Sequence, residues 1–294
     1  MSHSYSWGRG LFQLLNYAGL ALLSVLCLLP IIHVLAVSFS SQLEVTAGEV
    51  YFWPSGWNLK SYQYVIDKPE FFRSMKVTLQ RVLLGTALNM TLTALCAYPL
   101  SKEVKSFRFR TFFAWYFVFT ILFNGGLIPW YLTIKEVGLL DSIWALVLPG
   151  AVPAFNVILL LNFFRGLPRE LEESAFLDGA GHWTILWKIF VPLSLPAIAT
   201  VTLLTVVGHW NSWFDGLILM NHPTHYPLSS YLQTVIIMPD LSKLSREDLE
   251  LLRVISADTT RAAQIFVGML PILLVYPFLQ RFFIKGIVLG SVKE

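Results

Sequence analysis

Glu170, Glu172, Glu173 and Asp178 place four carboxylates within nine residues of an otherwise oily chain. Grouped carboxylates do acid–base or metal chemistry when a nucleophile, a base or further ligands converge on them. Here the acids run into Gly179-Ala180-Gly181 and then an apolar stretch whose one charge is Lys188. No such partner lies nearby, so the cluster reads as a docking surface. A second constellation, His209-Trp210-Asn211-Ser212-Trp213-Phe214-Asp215, lies inside an apolar run. Polar groups there are costly and face a cavity or a neighbouring helix. Asn211 and Trp213 suit a sugar path, one bonding hydroxyls and the other stacking on a pyranose ring, though packing serves equally well. His209 and Asp215 read better as helix–helix contacts. Asn124-Gly125-Gly126 and Pro129 interrupt another apolar run, as in the broken helices that line transport sites or in a packing kink. Arg81 reads as a snorkelling side chain, with pairing to a sugar carboxylate the alternative. His222-x-x-His225, lacking a carboxylate or Cys in register, is weak as a zinc site. No G-x-x-x-x-G-K-[ST] occurs, so nucleotide and its magnesium belong to another polypeptide if they are used.

The elements that must position these residues are membrane helices. The 294 residues are 55% hydrophobic and 13% charged, with a mean hydropathy of +0.63. Soluble domains carry about 25% charged residues. A net charge of +3 is too small to suggest nucleic acid. Cys27 and Cys96 fall in apolar runs and read as free thiols. Six stretches reach the roughly 20 residues needed to cross the hydrocarbon: 17–39, 77–100, 112–134, 142–164, 197–220 and 263–283. The first is longer than a secretory h-region and reads as an uncleaved span.

Lys and Arg set the orientation. Lys102, Lys105, Arg108 and Arg110 crowd one connection, and Arg165, Arg169 and Lys188 another. Those loops and both termini, 1–16 and 285–294, are expected in the cytoplasm, about a transmembrane domain of 17–284. Loops 40–76 and 221–262 are then outside, where they suit contact with an extracytoplasmic partner or a lid on the bundle. Ser245 and Asp248 predict a capped short helix through about Ile255.

Residues 170–196 cannot be a further span, because their five charges and the adjoining Arg169 would cost on the order of 15 kcal/mol in the bilayer centre. Local rules predict two short helices over 168–191. Pro168 and the acids start the first, which ends at Asp178 where Gly179 and Gly181 permit a left-handed or close turn. The second runs from His182 to Val191, apolar on most sides, and Pro192 and Pro196 stop it.

This segment resembles the cytoplasmic signature of ABC importer permeases: E-A-A, three residues, G, nine residues, I-x-L-P. Glu173-Ser174-Ala175, Gly179 and Ile189-x-Val191-Pro192 keep that spacing, with Ser174 and Val191 as departures. PIIHVLAVSFSS, FNGGLIPWYL, WNSWFDGLILM and YPFLQRFFIKGIVLGSVKE extend the resemblance to the maltose-permease-like carbohydrate branch, within it to importers of oligosaccharides such as alginate or pectin fragments. The resemblance implies an all-α type I importer permease of the bacterial inner membrane, with six spans and a coupling-helix pair between spans four and five. It implies no catalytic role. Its expected partners are a second, non-identical permease, two ATPase subunits that hold ATP and Mg, an extracytoplasmic solute-binding protein and an oligosaccharide. Glu172, Glu173, Ser174, Ala175, Asp178, Gly179 and Ala180 would form the ATPase contact; Asn124, Asn211 and Trp213 would border the substrate path, and the 291–294 tail would reach between the ATPases. A proton-coupled sugar transporter would need inverted repeats and a titratable relay. A membrane enzyme would need paired acids at one depth. The sequence shows neither.

Overall fold

A computed structural model describes residues 7–237 and 257–291, and every regular element among them is helical. The chain divides into two compact units, Met1–Pro69 with Thr234–Met269 and Glu70–Gln233 with Leu270–Glu294.

In the first unit, helix α1 (Trp7–Ser38) is apolar on all sides. Leu14, Leu15, Leu22, Leu23 and Leu26 are all exposed, which is stable only against lipid. It begins ten residues before the expected span, so residues assigned to an N-terminal segment are helix. Ala36 and Val37 at its end pack with Val50 and Ala262. Short helices α2 (Gln42–Thr46) and α3 (Lys60–Asp67) follow. The Ser38 and Tyr62 hydroxyls meet at 2.7 Å, and Ser61 donates to Thr259 at 2.9 Å.

The second unit is organised on α4 (Pro69–Ser101), whose buried residues include Ser74, Thr78, Arg81, Gly85, Asn89 and Thr93. These recur at three- and four-residue intervals and give one small, polar face, while Leu79 and Leu83 face outward. The polarity is turned inside because lipid, not water, is outside. Thr78 accepts the Leu228 N–H at 2.7 Å, and Asn156 donates to Thr205 at 3.1 Å.

The expected spans are less regular than their hydropathy. Residues 112–134 form two helices, α5 (Arg110–Leu122) and α6 (Leu127–Glu136), bent by 114° at the Asn124-Gly125-Gly126 break. Residues 142–164 are a short α7 (Ile143–Val147) and α8 (Ala154–Arg165), separated near Pro153. After α9 (Glu170–Leu177) comes α10 (His182–Leu193), which turns by 83° into α11 (Leu195–Asn211). Then come α12 (Phe214–Leu219), α13 (Leu228–Ile237) and α14 (Ala257–Ser291). Among the described residues, three helices are long and apolar enough to cross a membrane, or five if each bent pair counts as one crossing. Apolar runs report composition; they are silent on where glycine and proline redirect the chain. The capped helix expected at 245–255 lies outside the described residues.

Candidate functional site

Helix α9 forms as the acids predict, with Glu170, Glu172 and Glu173 in its first turn against the positive end of the dipole. It ends in a Schellman turn: Gly179 N–H donates to Phe176 O at 3.0 Å and Ala180 N–H to Ala175 O at 2.9 Å. Gly179 adopts φ +81°, the left-handed region the turn demands. Gly181, expected to share that task, has an ordinary φ of −82° and simply precedes α10. Pro192 does not stop α10. A π turn over Leu186–Phe190 comes first, and Val191–Leu193 continue the helix to the bend at Ser194.

The hairpin is fixed to the body by its apolar side. Ala175, Ile185, Leu186 and Phe190 are buried in one cluster with Ala97, Tyr98, Leu160 and Phe164. This sorts the residues expected to form one docking surface. Glu173, Ser174, Asp178 and Gly179 point outward, with Leu177 89% exposed beside them. Ala175 is buried, Ala180 packs on the cluster, and Glu172 turns inward to Lys102 Nζ at 2.7 Å. With the helical period, residues 172 and 175 share the inner face while 173 and 174 share the outer one.

Lys102 was legible only as one of several basic loop residues. In the structure its side chain is 9% exposed. Its ammonium lies 3.8 Å from the Tyr98 ring centroid and 4.1 Å from that of Phe190, besides contacting Glu172. Burial lowers its pKa, and the bond to Glu172 opposes the shift without cancelling it. Tyr98 hydroxyl and His182 Nδ1 are 3.1 Å apart. Together with Phe107, Phe176 and Trp183 these groups line a half-open cavity of about 570 Å³. Two further arginines, one from each basic connection, bond carbonyls at the end of α4: Arg165 donates to Leu100 O at 3.2 Å and Arg110 to Lys102 O at 3.4 Å. The signal available beforehand was the i, i+4 spacing of Tyr98 and Lys102 at a helix end.

In the apolar layer, Arg81 does not snorkel. It is 3% exposed, and its guanidinium forms a two-pronged ion pair with Asp215, one prong at 3.1 Å, while donating to Ser212 O at 3.2 Å. Asp215 also accepts from Ser212 Oγ at 2.8 Å. His209 lies 3.4 Å from Asn89 and against Gly85, whose missing side chain makes room for the ring. Both residues are helix–helix contacts, as their types suggested. Asn211 and Trp213 flank the α11–α12 break with exposed side chains. Asn124, also exposed, accepts from Gly126 N–H at 2.9 Å and so shapes its own turn. No hydrogen bond or ring contact joins Asn124 to Asn211 or Trp213. His225 bonds Asp141 at 2.9 Å, and Asn221 N–H donates to the same oxygen. Burial works to raise the Asp141 pKa, but these donors and that of His222 hold it below the usual carboxylate range.

A helical chain with lipid-facing helices, a buried intramembrane ion pair and an acid-tipped hairpin between apolar helices defines a membrane transport subunit. Residues 90–288 match the family described as binding-protein-dependent transport system inner membrane component, and the chain belongs to it. It is 40% identical over 96% of its length to the polygalacturonan/rhamnogalacturonan transport system permease protein YtcP of Bacillus subtilis (strain 168), covering 98% of that protein. Protein LplC of the same strain is 40% identical over 99% of this chain and 97% of its own. Among solved structures, a bacterial ABC transporter involved in the import of the acidic polysaccharide alginate has a chain that superposes with a TM-score of 0.87, at 33% identity, over 96% of this chain and 100% of that one. This protein is therefore an integral inner-membrane permease subunit of a binding-protein-dependent transport system, a transport component rather than an enzyme.

Proposed function

We propose that the chain carries acidic oligosaccharides, of the kind released from uronic-acid polysaccharides, across the bacterial inner membrane. Relatives named for polygalacturonan and rhamnogalacturonan and a structural neighbour named for alginate support that substrate class. The path forms against a second, non-identical permease, since one chain with three straight crossings and two bent pairs is thin for enclosing a saccharide. Asn124, Asn211 and Trp213, exposed beside breaks in the helices, border it. A solute-binding protein delivers the sugar to the outer loops, where Tyr51, Trp53 and Trp57 are exposed. Two ATPase subunits on the cytoplasmic side hold ATP and Mg, and both termini lie on that side. Six crossings follow if each bent pair crosses and α7–α8 together span the remaining one.

The observation that carries this reading is the two-sidedness of the hairpin. Its inner face is buried on the body, while Glu173, Ser174, Asp178 and Gly179 are presented outward and no described residue pairs with Glu173. Closure of the ATPases displaces the hairpin, and the permease moves between inward- and outward-open states. The binding protein shifts that balance by preferring one state. Glu173→Lys tests it: insertion into the membrane persists, while co-purification of the ATPase and sugar uptake fall. Normal assembly and uptake would overturn the docking role.

A further inference from the structure

We propose that Lys102 is a positioning residue through which movement of the hairpin reaches α4; the proposal rests on the reading of that hairpin as the ATPase contact. Three elements meet at its ammonium. Tyr98, one turn back on α4, presents its ring at 3.8 Å; Glu172 of α9 contributes a carboxylate at 2.7 Å; Phe190 of α10 presents its ring at 4.1 Å. The Tyr98 and Phe190 rings themselves pack edge to face at 5.1 Å. Around this centre His182 bonds the Tyr98 hydroxyl and stacks edge-on to Phe176 of α9 at 5.1 Å.

The arrangement is more than a surface salt bridge. A partly desolvated cation between two aromatic faces and a carboxylate resists displacement, because moving any one partner exposes the charge to an apolar wall. The apolar contacts beneath could slide, since dispersion and burial are not directional. The Lys102 contacts instead depend on where the ammonium sits relative to the carboxylate and the two rings. They tie α9 and α10 to the end of the helix that also carries Asn89, Gly85 and Arg81. The cavity that Lys102, Glu172, Tyr98 and His182 line is half open, so the hairpin has space to shift unless Lys102 holds it.

The test uses the whole complex, with both permeases, the ATPases and the binding protein, in proteoliposomes supplied with a pectin-derived oligosaccharide. Lys102→Met keeps the length and apolar stem but removes the charge. Sugar transported per ATP hydrolysed is expected to fall about tenfold while the ATPase still co-purifies, with Lys102→Arg recovering most of it. Glu172→Gln, which retains both rings, is expected to show a smaller drop of the same kind. An unchanged ratio in Lys102→Met, whether uptake is normal or falls in step with hydrolysis, would overturn the proposal. So would failure of both Lys102→Met and Glu172→Gln to assemble, which would assign the cluster to folding alone. Failure of the docking reading is distinguished by Glu173→Lys, where the ATPase is lost from the complex instead.

Discussion

Arg81 on α4 and Asp215 at the start of α12 close on each other through two hydrogen bonds, 134 residues apart in sequence, with their side chains 4% and 18% exposed. The pair bridges α4 to the point where α11 breaks, and Arg81 also holds Ser212 O at 3.2 Å. It sets where Trp213 can stand.

Removing one partner leaves the other charge in an apolar setting. Arg81→Met or Asp215→Leu alone should cost about 3–5 kcal/mol, seen as a large drop in thermal stability of the detergent-solubilised protein. The double variant should recover most of that loss, because neither charge is then left unpaired in the apolar layer. Additive losses would show that the two residues act separately.

A second close approach joins α4 to α11. A Cβ on Gly85 would collide with the His209 ring at Nε2. Gly85→Ala should therefore cost about 1–3 kcal/mol by forcing the ring away from Asn89. His209→Ala in the same chain should relieve most of that cost, and a melting comparison of single and double variants would show it.

Two glycines in the hairpin should behave differently. Gly179 has φ +81°, and a Cβ there meets nothing within 4 Å among the described residues. Gly179→Ala should cost about 1–2 kcal/mol through the left-handed backbone alone. Gly181→Ala, at φ −82°, should change stability by less than about 0.5 kcal/mol. If the ATPase approaches closely at the turn, Gly179→Ala should reduce uptake by more than its stability loss explains, whereas Gly181→Ala should leave uptake intact.

The hairpin was the most legible part of the molecule because its signals are local. Acids at a helix start, a glycine at its end and apolar residues beyond are all short-range rules, and each produced the element expected. The bends were hidden, because hydropathy over 112–134 is the same for one straight helix as for two at 114°. Asn124-Gly125-Gly126 and Pro129 marked the break without stating its angle. The partners of Arg81 and Lys102 were hidden for a different reason. Both reach across tens of residues, and a single basic side chain looks the same whether it meets lipid headgroups, solvent or a carboxylate. The inward turn of Glu172 toward Lys102 was hidden for that reason, since its outward neighbour Glu173 has the same chemistry one position on.

The side of the membrane on which the hairpin lies is the most direct test of the account. With Cys27 and Cys96 replaced, Leu177→Cys puts a thiol at an outward position that is 89% exposed. An impermeant maleimide should leave it unlabelled in intact cells with the outer envelope removed, label it in inverted vesicles, and label it less when the ATPases are bound. Labelling from the outer face, or equal labelling with and without the ATPases, would contradict the claim that nucleotide-driven motion enters the permease here.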